Sequence, residues 1–173
     1  MVERLWAGWR GAYLEGLAEH PTSGSEPRPV DGQSLFEAIL HSGRPDEETF
    51  ILWRGRYSFS LLNLYPYTTG HVLVLPRRAV DNLEDLQPEE ATELWSAVRD
   101  AVLAVKAAYH PDGVNVGANL GAAAGAGVVG HLHVHVVPRW FGDTNFTLTV
   151  ADTRVIPESL LRTWSKLSAT WPR

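Results

Sequence analysis

One stretch constrains this chain more than any other: Gly130-His131-Leu132-His133-Val134-His135-Val136-Val137-Pro138. In a β-strand successive side chains point to opposite faces, so Leu132, Val134 and Val136 meet one layer and three imidazoles meet the other. The histidine Cα atoms then lie about 6.6 Å apart, twice the ~3.3 Å rise per residue. The apolar alternates supply the core contact, so the imidazole face is not needed for packing. The pattern predicts a half-buried strand over residues 131–137, stopped by Pro138, and such a strand requires a sheet around it.

The rest of the sequence supplies that sheet. Residues 50–53 and 57–64 are apolar runs flanking Arg54-Gly55-Arg56, which reads as a hairpin. Period two on its second arm puts Tyr57, Phe59, Leu61 and Asn63 on one face, an apolar face with one amide at its end. Residues 71–76 predict a third strand closed by Pro76, residues 114–120 a fourth, and residues 146–150 a last one. The longest helix spans residues 88–109, with proline at its first position, Glu89 and Glu90 in its first turn, and Leu94, Val98, Ala101, Val102, Val105 and Tyr109 in one stripe. Ser34 and Glu37 form a capping box for a short helix over residues 34–41. Pro157 is expected to open a C-terminal helix with Leu160, Leu161, Trp164 and Leu167 on one side. The first 20 residues carry Trp6, Trp9, Tyr13 and Leu17 at helical spacing, interrupted by Gly8, Gly11 and Gly16, before a proline-serine linker. The expectation is an α+β fold: an antiparallel sheet of about five strands, with the long helix and its companions packed on one face. A single domain is expected over residues 1–173, with helix and linker in 1–33, core in 34–150 and C-terminal helix in 151–173.

Composition narrows the function classes. The chain has 173 residues, a net charge of -5 and no cysteine. Disulfides, thiolate nucleophiles and cysteine-bound metals are thereby excluded. The acidic balance gives no long-range attraction to nucleic acid or anionic lipid. No apolar run reaches the ~18 residues of a membrane span, and no signal peptide is visible, so the expected compartment is the cytoplasm. Trp53, Trp95, Trp164 and Trp171 read as packing or interface residues, Arg77, Arg78 and Arg139 as a solvated face, and His110 as a helix terminus.

Three readings of the histidine face stand beside one another. It can be a solvated run on an edge strand. It can be a metal site, with two imidazoles of a His-x-His pair on zinc and His71 from another strand as third ligand. Or it can be a nucleophile: a neutral imidazole attacks phosphorus when its other nitrogen is held by an acceptor, and flanking imidazoles donate protons to phosphate oxygens.

The run from His131 to Val137 resembles the His-φ-His-φ-His-φ-φ signature of the histidine-triad nucleotide hydrolases and transferases. The segments 62–67, 70–76 and 83–86 resemble the sheet and helix of the same family. Leu5-Trp6-x-x-Trp9-Arg10-x-x-Tyr13-Leu14 and Pro138-Arg139-Trp140-x-Gly142-Asp143-x-Asn145-Phe146 are similar to its bacterial branch of diadenosine-tetraphosphate phosphorylases and hydrolases. The resemblance implies that His133 is the nucleophile at the α-phosphorus, forming a nucleotidyl-histidine. It implies that His131 orients His133 through a backbone carbonyl, that His135 serves the phosphate and leaving group, and that His71 buttresses the triad. Asn63 resembles the ribose-binding residue, with Leu61 and Leu73 under the base. Asn119 resembles an amide that contacts the phosphate, and Ala126, Gly127 and Val128 lie where relatives present backbone N–H groups to it. The implied substrate is a dinucleoside polyphosphate such as diadenosine tetraphosphate or triphosphate. The alternatives are a phosphoramidate or mononucleotide-conjugate hydrolase, and a nucleotide-binding sensor with little turnover. A homodimer is implied, with no tightly bound cofactor beyond Mg²⁺ accompanying the polyphosphate. Two departures are visible: Ser34-Leu35-Phe36-Glu37 stands where many relatives carry a Cys-x-x-Cys zinc motif, and Gly127 stands near a serine of the phosphorylases.

Overall fold

The apolar alternation of the sequence builds five strands, and their register sets which side chains share a face. In the computed structural model, which describes residues 32–144 and 156–172, these are β1 (Ile51–Arg54), β2 (Ser58–Leu62), β3 (Val72–Pro76), β4 (Gly113–Ala118) and β5 (Val134–Arg139). They form one sheet in the order β1-β2-β3-β5-β4, and every neighbouring pair is antiparallel. The helices are α1 (Leu35–Leu40), α2 (Asp46–Thr49), α3 (Pro88–Tyr109) and α4 (Leu160–Thr170). The expected helix and linker in 1–33, save its last two residues, and the expected strand over 146–150 lie outside the described residues.

Residues directly opposite in an antiparallel pair project to the same side of the sheet. One side therefore carries Leu62, Val72, Val74, Val134 and Val136, which pack on Leu94, Ala97, Val98, Ala101, Ala104 and Val105 of α3 and on Leu167 of α4. The other side carries Phe59, Leu61, Leu73 and Leu75, joined by Ile51 and by Phe36, Ile39 and Leu40 of α1. The expectation of helices on one face only is thus corrected. The short helix α1 covers the opposite face, because Phe59, Leu61, Leu73 and Leu75 make that face apolar as well, and all ten residues of β2 and β3 are buried.

Local chemistry explains most element ends. Ser34 caps α1 with the expected capping box, and Pro88 opens α3 where the sequence placed it. The β1–β2 connection is Gly55-Arg56-Tyr57, shifted by one residue from the expected Arg54-Gly55-Arg56. The Glu93 carboxylate of α3 accepts from the backbone N–H of Tyr57 and Ser58 and from the Ser58 hydroxyl, so the second arm joins the sheet only at Ser58. Gly70, at φ 82, leads into β3 where a Cβ would come 3.1 Å from the Tyr109 ring and 3.2 Å from Pro138.

Three further expectations are corrected. Strand β5 begins at Val134, not at residue 131, and it passes through Pro138 to Arg139. Pro138 is tolerated because its carbonyl points away from β4 and accepts from the Thr68 hydroxyl at 2.8 Å. Its ring nitrogen faces the same side, so no bond to β4 is lost. Helix α4 starts at Leu160 rather than at Pro157, because the cap is Ser159, whose hydroxyl accepts from Arg162 N–H. Leu161 is exposed rather than on the buried stripe, and Thr163 is buried in its place. No helix of the described residues is long and apolar enough to cross a membrane.

Candidate active site

The site grows from the segment that precedes β5. Upstream of Val134, neither β3 nor β4 pairs with residues 131–133. Pro76 has no N–H to offer, and its carbonyl accepts instead from Nε2–H of His131 at 2.8 Å. That contact fixes the tautomer: with the proton on Nε2, Nδ1 of His131 is an acceptor and receives the Ser34 hydroxyl at 2.6 Å. The ring is 1% exposed and meets the edge of Phe36 at 5.4 Å. Burial pushes the His131 imidazole below its ordinary range, and the neighbouring His133 adds to this, against the pull of the Pro76 carbonyl and the Glu37 carboxylate.

His133 turns back onto the chain. Its Nδ1–H donates to the His131 carbonyl at 2.8 Å, which leaves the lone pair on Nε2. Burial lowers its affinity for a proton, only partly offset by that carbonyl. A buried, neutral imidazole with one nitrogen anchored and the other carrying a lone pair is a nucleophile or a general base.

The third and fourth histidines form a relay. Tyr67 N–H donates to Nδ1 of His71 at 3.1 Å, so the His71 proton sits on Nε2 and is donated to Nδ1 of His135 at 2.9 Å. The proton of His135 is therefore on Nε2. His135 lies 5.0 Å from His133 between ring centres, and the Tyr67 ring stacks on it at 5.7 Å. The triad thus holds a lone pair on one imidazole beside an N–H on the next. Asn63 ends β2 against this relay, with Nδ2 3.3 Å from Nδ1 of His71 and Oδ1 accepting from Tyr65 N–H.

The other expected residues fall around the same face. Leu61 pairs with Leu73 and Leu73 with His135, so the two leucines and the imidazole lie in one row across three strands. Both leucines are buried in the α1 cluster, and Val128 packs on that cluster from the glycine-alanine loop. Asn119 reaches into the loop, donating to the Gly125 carbonyl, and Ala126 N–H donates to the Gly121 carbonyl. Gly127 lies in the same loop. The arginines are engaged elsewhere: Arg78 pairs with Glu90, Arg77 donates to the Gly55 carbonyl, and Arg139 pairs with Asp143. His110 caps α3 as expected.

Sequence reasoning missed Ser34, Phe36 and Tyr67 as neighbours of the triad. For the first two a signal existed, since the segment 34–37 stands where relatives place a metal motif. Among the described residues no group of three or more His, Cys, Asp or Glu is arranged to hold a metal ion.

A five-stranded antiparallel sheet that brings three alternating imidazoles and a fourth buttressing one onto a single face defines the histidine-triad class. Residues 44–142 match the family described as HIT domain, and the chain belongs to that family. It is 40% identical over 172 residues to a Mycobacterium tuberculosis protein named AP-4-A phosphorylase, covering 99% of this chain and 86% of that one. A Schizosaccharomyces pombe bis(5'-nucleosyl)-tetraphosphatase (asymmetrical) is 39% identical over 89 residues, 51% of this chain and 48% of the relative. Among solved structures, a Hit-like protein of Bartonella henselae superposes with a TM-score of 0.65 at 26% identity, over 83% of this chain and 99% of that one.

Proposed function

We propose that this chain cleaves dinucleoside polyphosphates, diadenosine tetraphosphate foremost, in two displacements at the α-phosphorus. The observation that carries the reading is the anchored Nδ1–H of buried His133, which leaves Nε2 as an unprotonated nucleophile. Nε2 attacks the α-phosphorus; a P–N bond forms and the P–O bond to the leaving nucleoside triphosphate breaks. Nε2–H of His135, set by the relay from Tyr67 through His71, hydrogen-bonds the α-phosphate or bridging oxygen and supports that departure. An acceptor oxygen then attacks the same phosphorus, the P–N bond breaks, and the imidazole is regenerated. Backbone N–H groups of Gly127 and Val128 serve the α-phosphate, Asn119 the phosphate side, Asn63 the ribose, and Leu61 and Leu73 underlie the base.

Phosphate is the acceptor we favour, supported by the near full-length similarity to a protein named AP-4-A phosphorylase. Water is the second reading, favoured by glycine rather than serine at position 127. Phosphorolysis of diadenosine tetraphosphate yields ADP and ATP, while hydrolysis yields AMP and ATP. Acid-labile, base-stable mass of one nucleotide on the peptide holding residues 131–135, caught by quenching during turnover, is the expected result. AMP as sole product in excess phosphate would overturn phosphorolysis and keep the intermediate. Inverted stereochemistry at the α-phosphorus without a labelled peptide would overturn the intermediate. In the same assay a zinc chelator is expected to leave turnover intact, since the reading needs no bound metal beyond Mg²⁺ on the polyphosphate; loss of turnover with stoichiometric zinc would favour the metal reading.

The reading includes a homodimer in the cytoplasm. Among the described residues strand β4 is an edge of the sheet, and Val116 on it is 44% exposed, an arrangement suited to a second copy. Light scattering at micromolar concentration is expected to give twice the chain mass of 19.1 kDa, and the monomer mass would refute it.

A further inference from the structure

We propose that Ser34 is a positioning residue for the nucleophile: its hydroxyl locks the His131 imidazole against Pro76 and so holds the carbonyl that orients His133. The inference rests on the reading of His133 given above and adds a residue from outside the triad to it.

The sheet ladder is missing where the nucleophile is aimed. Residues 131–133 pair with neither β3 nor β4, although the carbonyl that aims the nucleophile belongs to His131. Two anchors replace the sheet bonds. One is Leu132 N–H to the Val80 carbonyl at 2.6 Å. The other is the His131 ring itself, which spans from the Pro76 carbonyl on β3 to the Ser34 hydroxyl at the start of α1. The ring is 1% exposed, so an unmatched Nδ1 would carry the desolvation penalty of an orphaned buried acceptor.

Ser34 suits both its partners at once. Its oxygen accepts from Glu37 N–H at 3.1 Å, which orients the hydroxyl, and its proton goes to Nδ1 of His131. Glu37 completes the brace, accepting from Ser34 N–H with one oxygen and from Ala79 N–H with the other. Phe36 of the same helix packs against both His131 and His133. The capping box of α1 is therefore joined to the nucleophile through one imidazole, and it ties that imidazole to the loop after β3.

Capping and positioning separate by substitution. A threonine in place of Ser34 retains both the cap and a hydroxyl donor, whereas an aspartate retains the cap but offers Nδ1 no proton. Ser34→Thr is expected to keep kcat within about threefold. Ser34→Ala and Ser34→Asp are expected to lower kcat at least tenfold with KM within about twofold. Nitrogen-15 spectra of labelled histidine should show His131 as the Nε2–H tautomer in the natural protein and in Ser34→Thr, and a changed Nδ1 signal in Ser34→Asp. Unchanged kcat in Ser34→Asp, or an Nδ1–H tautomer of His131 in the natural protein, would overturn the proposal. Loss of the His133 mechanism would show separately, as turnover that survives His133→Ala while the tautomer remains as stated.

Discussion

In the proposed reaction His133 attacks phosphorus only while unprotonated, so its environment would set the pH range of turnover. Burial holds its proton affinity below the ordinary value of 6.5, and the His131 carbonyl only partly offsets this. The acidic limb of kcat/KM is therefore expected at an apparent pKa below 6.5, with a plateau already reached at neutral pH. Protonation of His131 lies in the same direction, so the limb belongs to the pair rather than to one ring. An acidic limb centred above 7 would contradict the buried, neutral nucleophile. His133→Ala should lower kcat by about a thousandfold or more, since a removed nucleophile acts on the chemical step. At this scale the sequence was legible in what alternation alone decides: which residues turn to the imidazole face. Alternation was silent on what those imidazoles touch: the His131 carbonyl and His71 came from the family resemblance, and the partners of His131 from neither. The two partners that fix the His131 tautomer, Pro76 and Ser34, stand 55 and 97 residues away along the chain.

At the scale of elements, the ends moved where a side chain or a missing donor intervened. Helix α3 matches the residues read from its stripe, because proline at the start and a left-handed His110 at the end are local signals. Strand β5 does not, because its start depends on where β3 and β4 stop pairing, and its passage through Pro138 depends on Thr68. The β1–β2 turn departs from the expected tripeptide for a similar reason: three donors converge on Glu93 from a helix 35 residues further on. Removing that carboxylate leaves Ser58, which is fully buried, without its hydroxyl partner. Glu93→Ala is expected to cost about 2 kcal/mol of stability, the loss of hydrogen bonds to a charged acceptor. For a chain of this size that is a fall of about 5 °C in Tm. Its kcat should stay within twofold, because the turn packs on the α3 side of the sheet. An unchanged Tm would show that Glu93 does not hold the turn.

For the whole molecule, the chemistry of the site has a consequence for folding. His131 and His133 are held below the ordinary 6.5 in the native state, first by burial, whereas in the unfolded chain they titrate near that value. Below about 6.5 the unfolded chain therefore binds protons that the native state refuses. Stability is full above that pH and declines as pH falls through it, with a slope of up to about 1.4 kcal/mol per pH unit for each unmatched proton. Glu37 enters later and for the opposite reason. Burial opposes its charge, but the N–H groups of Ser34 and Ala79, the charge of His131 and the Ser34 hydroxyl outweigh it and hold the carboxyl below 4.5. A carboxylate with a lowered pKa contributes stability above its unfolded value and loses it as pH falls further. Glu90, lowered chiefly by Arg78 on the surface, acts in the same window and weakly. The denaturant midpoint is therefore expected to drop in two stages, the first setting in as pH falls below 6.5 from the histidines and the second below 4.5 from the carboxyls. His133→Ala tests the assignment directly: the slope of the first stage should become shallower in the variant. A natural protein whose midpoint is flat from pH 7 to 5, or a variant with the full slope, would show that the nucleophile is not held neutral at a cost to the fold.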